Sequence, residues 1–388
     1  MADRRSGAPD GADIDVLVAL TYYAPYVSGL TDAARLVNEG LAARGWRIRV
    51  LTCRYDDDLA PREERSGVDV ERCRVVARFG KGVLMPTFPA RLRALSKQAA
   101  LTHFHLPMGE AIAARLVPRA GLVSTYQCDV ALPPGAANRV TQRLVDASSR
   151  SAVRRSGATI VSTADYAAHS RLHDVLEGAV PLPPACTDRP PGRPTYRDGD
   201  GPHVGFLGRI VEEKGLEHLV RAFHRLPDPT ARLLIGGESE AIAGGSVIDR
   251  VRAAAHGDER VRFLGFVPDE RLADFYASLD VFTLPSINSF EAFGIVQVEA
   301  MMAGIPVVAS DLPGVRRPVQ LTGFGSLVAP ADEQGLAAAL AGAVTSPPDR
   351  AAGQRKAREL FSLSATLDAH ESIYRAEAAK AGRHVGPR

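Results

Sequence analysis

Short apolar runs without apolar–polar alternation recur along the whole chain, and amphipathic stretches follow several of them. The first run, Ile14–Leu20, precedes a helical pattern that ends near Gly45. A strand that is buried on both faces has this continuous apolar character, and such strands belong to parallel sheets covered by helices. The alternation of strands and helices therefore predicts an α/β fold with right-handed crossovers.

The strand–helix pattern occurs in two series, separated by a segment rich in Pro, Gly and charge at 186–202. The predicted strands are Ile14–Leu20, Trp46–Thr52, Leu101–His105, Gly121–Tyr126 and Ala158–Ser162 in the first series, and His203–Leu207, Ala231–Ile235, Val261–Leu264, Val281–Leu284 and Ile305–Ala309 in the second. A chain of 388 residues also favours two domains. We predict two Rossmann-like, doubly wound domains that face each other across a cleft.

The predicted boundaries follow the same pattern. Residues 1–12 form a disordered lead-in, 13–185 the first domain, 186–202 a linker and 203–362 the second domain. The helical segment 363–388 is expected to cross back to the first domain. The polar N-terminus lacks a signal sequence, no apolar run reaches about 18 residues, and the four cysteines are scattered. We therefore expect a cytoplasmic protein without a disulfide framework or a structural zinc site.

The segment Gly205–Gly215 places two cations behind a strand that ends in glycine. Arg209 and Lys214 stand five residues apart and lead into a helix. Glycine permits close approach of the backbone, and an arginine fork with a lysine point charge can divide the oxygens of a diphosphate. The alternative is a tight turn that carries two solvated charges.

A second segment contains two glutamates eight residues apart, Glu291 and Glu299, around a helix expected to start near Phe293. Eight helical residues rise about 12 Å, which exceeds the separation of about 5–9.5 Å in hydrolytic carboxylate pairs. We therefore expect separate roles. Glu299 would accept hydrogen bonds from ribose hydroxyls, and Glu291 would contact the group being transferred. The alternative is a pair of exposed helix glutamates.

These motifs resemble the retaining glycosyltransferases of the GT-B fold, specifically family 4, the glycosyl transferases group 1. The resemblance rests on FLGRIVEEKG, FLGFVPDERLADFYASLDVFTLPS and EAFGIVQVEAMMAGIPVVASDLPG, and it is strongest across residues 203–332. It implies that Arg209, Lys214 and Glu291 are catalytic. The donor-binding residues that it implies are Gly29, Gly208, Arg209, Lys214, Val267, Glu291, Phe293, Gly294, Ile295 and Glu299.

The first half of the chain departs from the family pattern. Ser28-Gly29 stands where the family has Gly-Gly, and Gln127 stands where it commonly has histidine. An amide can position a hydroxyl group but cannot act as a base near neutral pH. We expect His105, Gln127 and Asp129 to bind the acceptor. A strand-end histidine that only packs or caps is an equal alternative for His105.

Two basic stretches in the first half suggest a cationic face. Six basic residues between Arg74 and Lys97 have no acidic neighbour, and between Arg139 and Arg155 only Asp146 opposes five arginines. Such a face could attract an anionic acceptor or an acidic membrane at which the enzyme is peripheral. Solvated helix faces are the alternative. No nucleic-acid-binding motif accompanies the charge, so we expect no nucleic-acid partner.

The resemblance thus implies a retaining, metal-independent hexosyltransferase that uses a nucleotide diphosphate sugar, with UDP- or GDP-sugars favoured. No cofactor is expected. Front-face attack is favoured because no carboxylate stands out as a nucleophile. The acceptor would be a small molecule or lipid-linked, in bacterial natural-product or cell-envelope glycoconjugate biosynthesis. The alternatives are a nucleotide-sugar epimerase of the same fold, a non-catalytic nucleotide-sugar-binding relative and a membrane-associated partner subunit.

Overall fold

The computed structural model describes residues 13–79, 82–130, 132, 135–238 and 246–387. The predicted lead-in at 1–12 lies outside the described residues. The chain divides into two compact units, of which the first contains the chain up to Ala185 together with Thr366 onwards. The second unit is Cys186–Ala365. Within the described ranges, no helix combines the length and the apolar composition that a membrane span requires.

The first unit is built on an eight-stranded sheet with the order β10-β9-β8-β7-β1-β2-β4-β3, in which only β3 runs antiparallel to its neighbour. A separate hairpin pairs β5 with β6. The elements are β1 (Ile14–Ala19), α1 (Gly29–Ala43), β2 (Ile48–Arg54), β3 (Arg62–Arg65), β4 (Val68–Arg74), β5 (Ala77–Phe79), β6 (Gly82–Leu84), α2 (Phe88–Ser96), β7 (Ala99–Leu106), a 3-10 helix (Gly109–Leu116), β8 (Leu122–Tyr126), α3 (Ala136–Val153), β9 (Ala158–Val161), α4 (Ala164–His169), α5 (His173–Leu176) and β10 (Val180–Pro181).

The second unit is a fully parallel six-stranded sheet with the order β13-β12-β11-β14-β15-β16. Its elements are β11 (His203–Leu207), a 3-10 helix (Glu212–Lys214), α6 (Leu216–Phe223), β12 (Arg232–Gly236), α7 (Ile248–Ala255), β13 (Val261–Gly265), a 3-10 helix (Asp269–Arg271), α8 (Leu272–Ala277), β14 (Val281–Leu284), α9 (Ile295–Met302), β15 (Val307–Ser310), α10 (Arg316–Thr322), β16 (Gly325–Val328), α11 (Glu333–Thr345) and α12 (Arg350–Phe361). The last helix, α13 (Leu363–Lys380), belongs to the first unit from Thr366 onwards.

Segment 186–202, which we predicted to be a linker, is part of the second unit. Cys186 is fully buried in the core of that unit. Tyr196 packs edge-on against Phe275 with 6.1 Å between the ring centroids, and its backbone N–H donates to Ser278 Oγ at 3.0 Å. The composition of this segment resembles a linker because few of its residues are apolar, but these few contacts hold it against the sheet domain.

Strand β4 was not predicted, because its sequence VDVERCR carries charge at buried positions. Glu71 lies on this strand and is almost fully buried. It accepts hydrogen bonds from Arg62 at 2.9 Å and from Arg91 at 2.6 and 2.9 Å. The first basic stretch is therefore partly neutralised by a carboxylate outside it, which corrects the expectation of an unopposed cationic face there. Lys81 of that stretch lies outside the described residues.

Candidate functional site

The connection order of the second sheet creates one place where two neighbouring strands have loops that diverge. Strand β11 continues toward β12 on one side, and its other neighbour β14 continues toward β15. In open parallel sheets, ligands bind at this switch point, beyond the carboxyl ends of the strands. Arg209 follows β11 directly, and Glu291 follows β14 after a short loop.

Glycines bring the backbones behind β11 and β12 into contact. The Gly208 N–H donates to the Gly236 carbonyl at 3.0 Å. A Cβ on Gly237 would lie 1.8 Å from the Gly208 carbonyl oxygen, so no larger residue fits there. The glycines thus allow the two backbones to pack together at this strand end, and close approach of a ligand to Gly208 stays a prediction.

An ion pair and a backbone hydrogen bond connect the loops that follow β11 and β14. Lys214 Nζ donates to Glu291 Oε2, and both side chains are largely buried. The Ile287 N–H donates to the Glu213 carbonyl at 2.9 Å. Gly215 adopts φ +66°, and a Cβ there would lie 2.3 Å from the Pro285 carbonyl oxygen. The structure thus brings two of the predicted catalytic residues into direct contact.

Arg209 is more exposed than Lys214 and lies 3.3 Å from Glu213, its neighbour at i+4. An exposed i,i+4 ion pair contributes little to stability. Its guanidinium therefore remains available for an anionic ligand.

Helix α9 begins at Ile295, two residues later than we predicted. Gly294 precedes it with φ +81°, and a Cβ there would lie 2.3 Å from Leu284 Cδ2, so the chain bends sharply before the helix. Buried Gln297 fixes the bend by donating to the Phe293 carbonyl at 2.6 Å. Glu291 consequently lies outside the helix. The helical rise between Glu291 and Glu299 therefore does not give their separation, and their spacing in sequence does not exclude a hydrolytic carboxylate pair.

Glu299 lies inside α9 and is 9% exposed. Its Oε1 accepts from Arg189 Nη2 at 3.3 Å, and its Oε2 accepts from the Tyr276 hydroxyl at 3.0 Å. Burial raises the pKa of Glu299, and the positive charge of Arg189 opposes that rise. Each carboxylate oxygen has two lone pairs, so the carboxylate retains capacity for further donors such as ribose hydroxyls.

Arg189 was missed by the sequence analysis. It lies in segment 186–202, 110 positions before Glu299, and no local pattern marks it. Its side chain is 12% exposed, and its Nη2 also donates to Asp269 at 2.8 Å. Its buried Nε has no hydrogen-bond partner among the described residues. Val267, predicted near the nucleotide base, is buried, whereas its neighbour Phe266 is 63% exposed.

In the first unit, the predicted loop after β1 contains the start of α1. Ser28 is the N-cap of this helix, and its Oγ accepts from the Thr31 N–H at 3.2 Å. Serine in place of the family glycine therefore stabilises the helix start, because capping satisfies a backbone N–H that lacks a partner. Gly29 is exposed as the first helical residue.

His105 and Gln127 lie together at the carboxyl ends of β7 and β8. Gln127 Nε2 lies 3.1 Å from His105 Nδ1, so the amide fixes the imidazole. His103 is fixed between the Tyr374 hydroxyl and Thr125 Oγ1, at 2.7 Å from each. Burial lowers the pKa of His105 to about 3, so the neutral imidazole is present near neutral pH.

Asp129 is buried and accepts several hydrogen bonds from its own unit. Its Oδ1 accepts from the hydroxyls of Tyr126 and Ser170, each at 2.6 Å, and its Oδ2 accepts from the Arg171 N–H at 3.1 Å. The backbone N–H of Asp129 donates to the Tyr166 hydroxyl at 2.7 Å. These hydrogen bonds favour a structural role for Asp129, and acceptor binding by this residue stays a prediction.

Three tyrosines and a glutamate near the same strand ends were also missed. Tyr22 and Tyr26 follow β1 and stack with their ring centroids 4.4 Å apart, and Tyr55 follows β2 and meets Tyr26 edge-on at 5.3 Å. Glu110 opens the 3-10 helix after β7, and its buried Oε1 has no hydrogen-bond partner within the described part of the chain. Burial raises the pKa of Glu110. The pKa of Tyr22 is also raised, mainly by burial and to a smaller extent by the charge of Glu110.

Two family models match the chain. The model described as glycosyl transferases group 1 matches residues 193–360, and that described as glycosyl transferase 4-like domain matches residues 28–184. The chain is 31% identical over 266 residues to the 2-deoxystreptamine glucosyltransferase of Streptomyces kanamyceticus. The aligned residues cover 64% of this chain and 67% of that protein. It is 41% identical over 144 residues to the phosphatidyl-myo-inositol mannosyltransferase of Mycobacterium leprae, covering 36% of each. The second match therefore spans little more than a third of that relative's length.

Solved structures share the fold. The sucrose-phosphate synthase of Thermosynechococcus elongatus superposes with a TM-score of 0.78 at 22% identity, covering 94% of this chain and 99% of that one. The Anabaena protein HepE in complex with UDP-glucose gives a TM-score of 0.66 at 19% identity, covering 93% and 99%. The predicted α/β class, with two parallel-sheet domains of the GT-B fold, is confirmed.

Proposed function

Because this chain belongs to the glycosyl transferases group 1 family and is a glycosyltransferase, we propose that it moves a hexosyl group from a nucleoside diphosphate sugar to an acceptor hydroxyl with retention of configuration. The observation that carries this proposal is the paired arrangement of Lys214 and Glu291, with Arg209 beside them, at the switch point of the second sheet. A protein of similar fold was crystallised with UDP-glucose, which supports a nucleoside diphosphate sugar as donor; we propose a UDP- or GDP-sugar.

The donor would be bound by its diphosphate, its ribose and its sugar. Lysine has three donor hydrogens, so Lys214 can hold Glu291 and still donate to a phosphate oxygen. Arg209 supplies a second cation, and the N–H groups at the start of α9 around Gly294 and Ile295 supply partial positive charge. These groups stabilise the negative charge that develops on the leaving diphosphate. Glu299 accepts the ribose hydroxyls.

Retention follows if the acceptor oxygen attacks from the side that the diphosphate leaves. In this front-face reaction, the bond from the sugar anomeric carbon to the phosphate oxygen breaks, and the bond to the acceptor oxygen forms on the same face. The acceptor proton passes to the departing phosphate oxygen. Because Arg209 and Lys214 carry positive charge, the proposal assigns no role to a metal ion.

The acceptor would be bound by the first unit. His105 and Gln127 present a fixed imidazole and amide at the ends of β7 and β8, and Glu110 offers a buried carboxylate oxygen that accepts no hydrogen bond from the described residues. The stacked Tyr22 and Tyr26 offer aromatic surface for the apolar face of a ring. The acceptors in the names of the two relatives contain a six-membered carbon ring with polar substituents, so we propose a ring polyol, either small or lipid-linked.

The setting that we propose is the cytoplasm of a bacterium, in the synthesis of natural products or envelope glycoconjugates. A lipid-linked acceptor would require contact with the inner face of a membrane, and the arginine-rich surface of the first unit supports such a contact.

The test combines a panel of UDP-, GDP- and dTDP-sugars with candidate ring-polyol acceptors and measures release of the nucleoside diphosphate. We expect release that depends on the acceptor, with an α-configured sugar yielding an α-linked product. Conversion of donor without acceptor would identify an epimerase instead. Donor binding without conversion across a broad acceptor panel would favour a non-catalytic binding protein.

A further inference from the structure

An open cavity of about 400 Å³ lies in the first unit between the 3-10 helix Gly109–Leu116 and the second half of α3. Five arginines line it, together with Ala147 and Ser151. They are Arg115, Arg119, Arg150, Arg154 and Arg155. Arg150, Arg154 and Arg155 belong to the second basic stretch of the sequence, and the proposed transfer reaction uses none of the five arginines.

The cavity lies at the amino ends of the strands, whereas the proposed acceptor residues lie at their carboxyl ends. Helix α3 starts beyond the carboxyl end of β8 and ends at Val153, before β9 begins at Ala158. Arg119 stands just before β8, and its Nη2 donates to the Arg154 carbonyl at 3.0 Å. The five residues of β8 span about 16 Å at about 3.3 Å each, which separates the cavity from Gln127.

Positive charge in the cavity exceeds negative charge. Asp174 is the carboxylate among the described residues that pairs with these arginines, and it contacts Arg150 and, at 3.7 Å, Arg154. Arg115, Arg119 and Arg155 have no carboxylate partner in the described ranges. Four positive charges therefore remain uncompensated within one small volume, which costs repulsive energy unless an anion is bound.

The scaffold holds several of these side chains in place. Arg155 donates from Nε to the Ala114 carbonyl at 3.2 Å and from Nη2 to the Val117 carbonyl at 3.0 Å. Arg115 Nε donates to Ser151 Oγ at 3.2 Å. Each guanidinium has five N–H groups, so these contacts leave donors for a ligand while reducing the entropy lost on binding.

We propose that this cavity binds a phosphate-bearing ligand at a site separate from the transfer reaction. Arginine forks match phosphate oxygens in pairs, and a volume of about 400 Å³ accommodates a phosphate, a diphosphate or a phospholipid head group. Leu144 and Ile112 lie on the two elements that form the cavity and are 66% and 46% exposed. They would contact acyl chains if the phosphate belongs to a lipid.

The test compares the full-length wild-type protein with the double variant Arg115→Ser/Arg154→Ser and with Arg143→Ser. Arg143 is an exposed arginine of α3 that does not line the cavity, so it is the matched control for surface charge. Arg115 and Arg154 are themselves exposed, and thermal melting checks that the variants fold. The second unit is unchanged in all three proteins, so any diphosphate bound there contributes equally.

One arm measures binding of inorganic phosphate and diphosphate by calorimetry. The other measures co-sedimentation with vesicles of phosphatidylcholine, with and without phosphatidylglycerol. We expect the double variant to bind at least about tenfold more weakly in one arm or both, while Arg143→Ser matches wild type. A loss for the soluble anions identifies a free phosphate ligand, and a loss confined to the anionic vesicles identifies a lipid head group. Equal binding by all three proteins, or equal loss in the double variant and in Arg143→Ser, would overturn the proposal.

Discussion

Replacing Arg189 with glutamine tests whether Glu299 needs a buried cation beside it in order to hold the donor ribose. Glutamine retains most of the length of the side chain but removes the charge. The bond from Arg189 Nη2 to Glu299 Oε1 is 3.3 Å, and the two side chains are 12% and 9% exposed. Hydrogen bonds to charged groups in such surroundings contribute about 1.5–3 kcal/mol.

Loss of Arg189 favours the protonated form of Glu299, which weakens the proposed hydrogen bond from a ribose hydroxyl to this carboxylate. At about 1.4 kcal/mol for each factor of ten, the donor should therefore bind about 10- to 100-fold more weakly to Arg189→Gln. The loss of the second contact of Arg189, with Asp269, adds little because the Asp269 side chain is 79% exposed. Affinity for inorganic diphosphate, which lacks a ribose, should be unchanged.

The pH dependence provides a second readout. Burial raises the pKa of Glu299, while Arg189 and the Tyr276 hydroxyl lower it and Asp269 raises it. In the proposed site the ionised carboxylate accepts hydrogen bonds from both ribose hydroxyls, so we expect donor affinity to be lost as pH falls through this raised pKa. Without Arg189 the pKa rises further, and the loss of affinity moves to higher pH.

The assay is calorimetric titration of a UDP- or GDP-sugar between about pH 5 and 8, where a diphosphate diester keeps a constant charge. Arg193→Gln is the matched control, because this exposed arginine lies in the same segment. The reasoning is refuted if Arg189→Gln binds the donor as tightly as Arg193→Gln at every pH. It is refuted equally if inorganic diphosphate and donor lose the same factor.

Four further outcomes are expected. Lys214→Ala should lower the transfer rate about 100-fold or more in the nucleoside diphosphate release assay, and a near-normal rate would remove this residue from the donor site. Gly294→Ala should lower the melting temperature in a thermal scan. Its φ of +81° and the 2.3 Å distance from the added Cβ to Leu284 Cδ2 should lower the free energy of unfolding by about 1–3 kcal/mol. An unchanged melting temperature would contradict the bend before α9. Glu110→Gln should raise the acceptor KM and leave the donor Kd unchanged, whereas a change in donor Kd alone would exclude an acceptor role. Prolonged treatment with a chelator should leave the rate unchanged, and a loss restored by Mg²⁺ would refute metal independence.

The fold was largely predictable because its signals are local. Runs such as Val281–Leu284 are continuous apolar strands, and the structure places that strand at the predicted residues. Arg209 and Lys214 were predicted to bind the donor because a strand that ends in glycine and leads into a helix is typical of the ligand-binding edge of a parallel sheet, and this assignment stays a prediction. These inferences need only a few neighbouring residues.

What escaped prediction depends on residues that are far apart in sequence. Arg189 reaches Glu299 across 110 positions from a segment without periodicity. Asp129 was expected to bind the acceptor because it lies near Gln127 in the sequence, and no local pattern indicated that Tyr166 and Ser170, about 40 positions later, engage it. Strand β4 was likewise not predicted, because the buried charge of Glu71 is balanced by ion partners that lie elsewhere in the chain.

The proposed function depends on binding of a nucleoside diphosphate sugar to the second unit through Arg209, Lys214, Glu291 and Glu299. This binding can be measured in a crystal structure of the full chain with an intact UDP- or GDP-sugar. We expect diphosphate oxygens within about 3 Å of Arg209 and Lys214 and both ribose hydroxyls at hydrogen-bond distance from Glu299. A nucleotide bound elsewhere, or one whose ribose leaves Glu299 paired only with Arg189 and Tyr276, would contradict it.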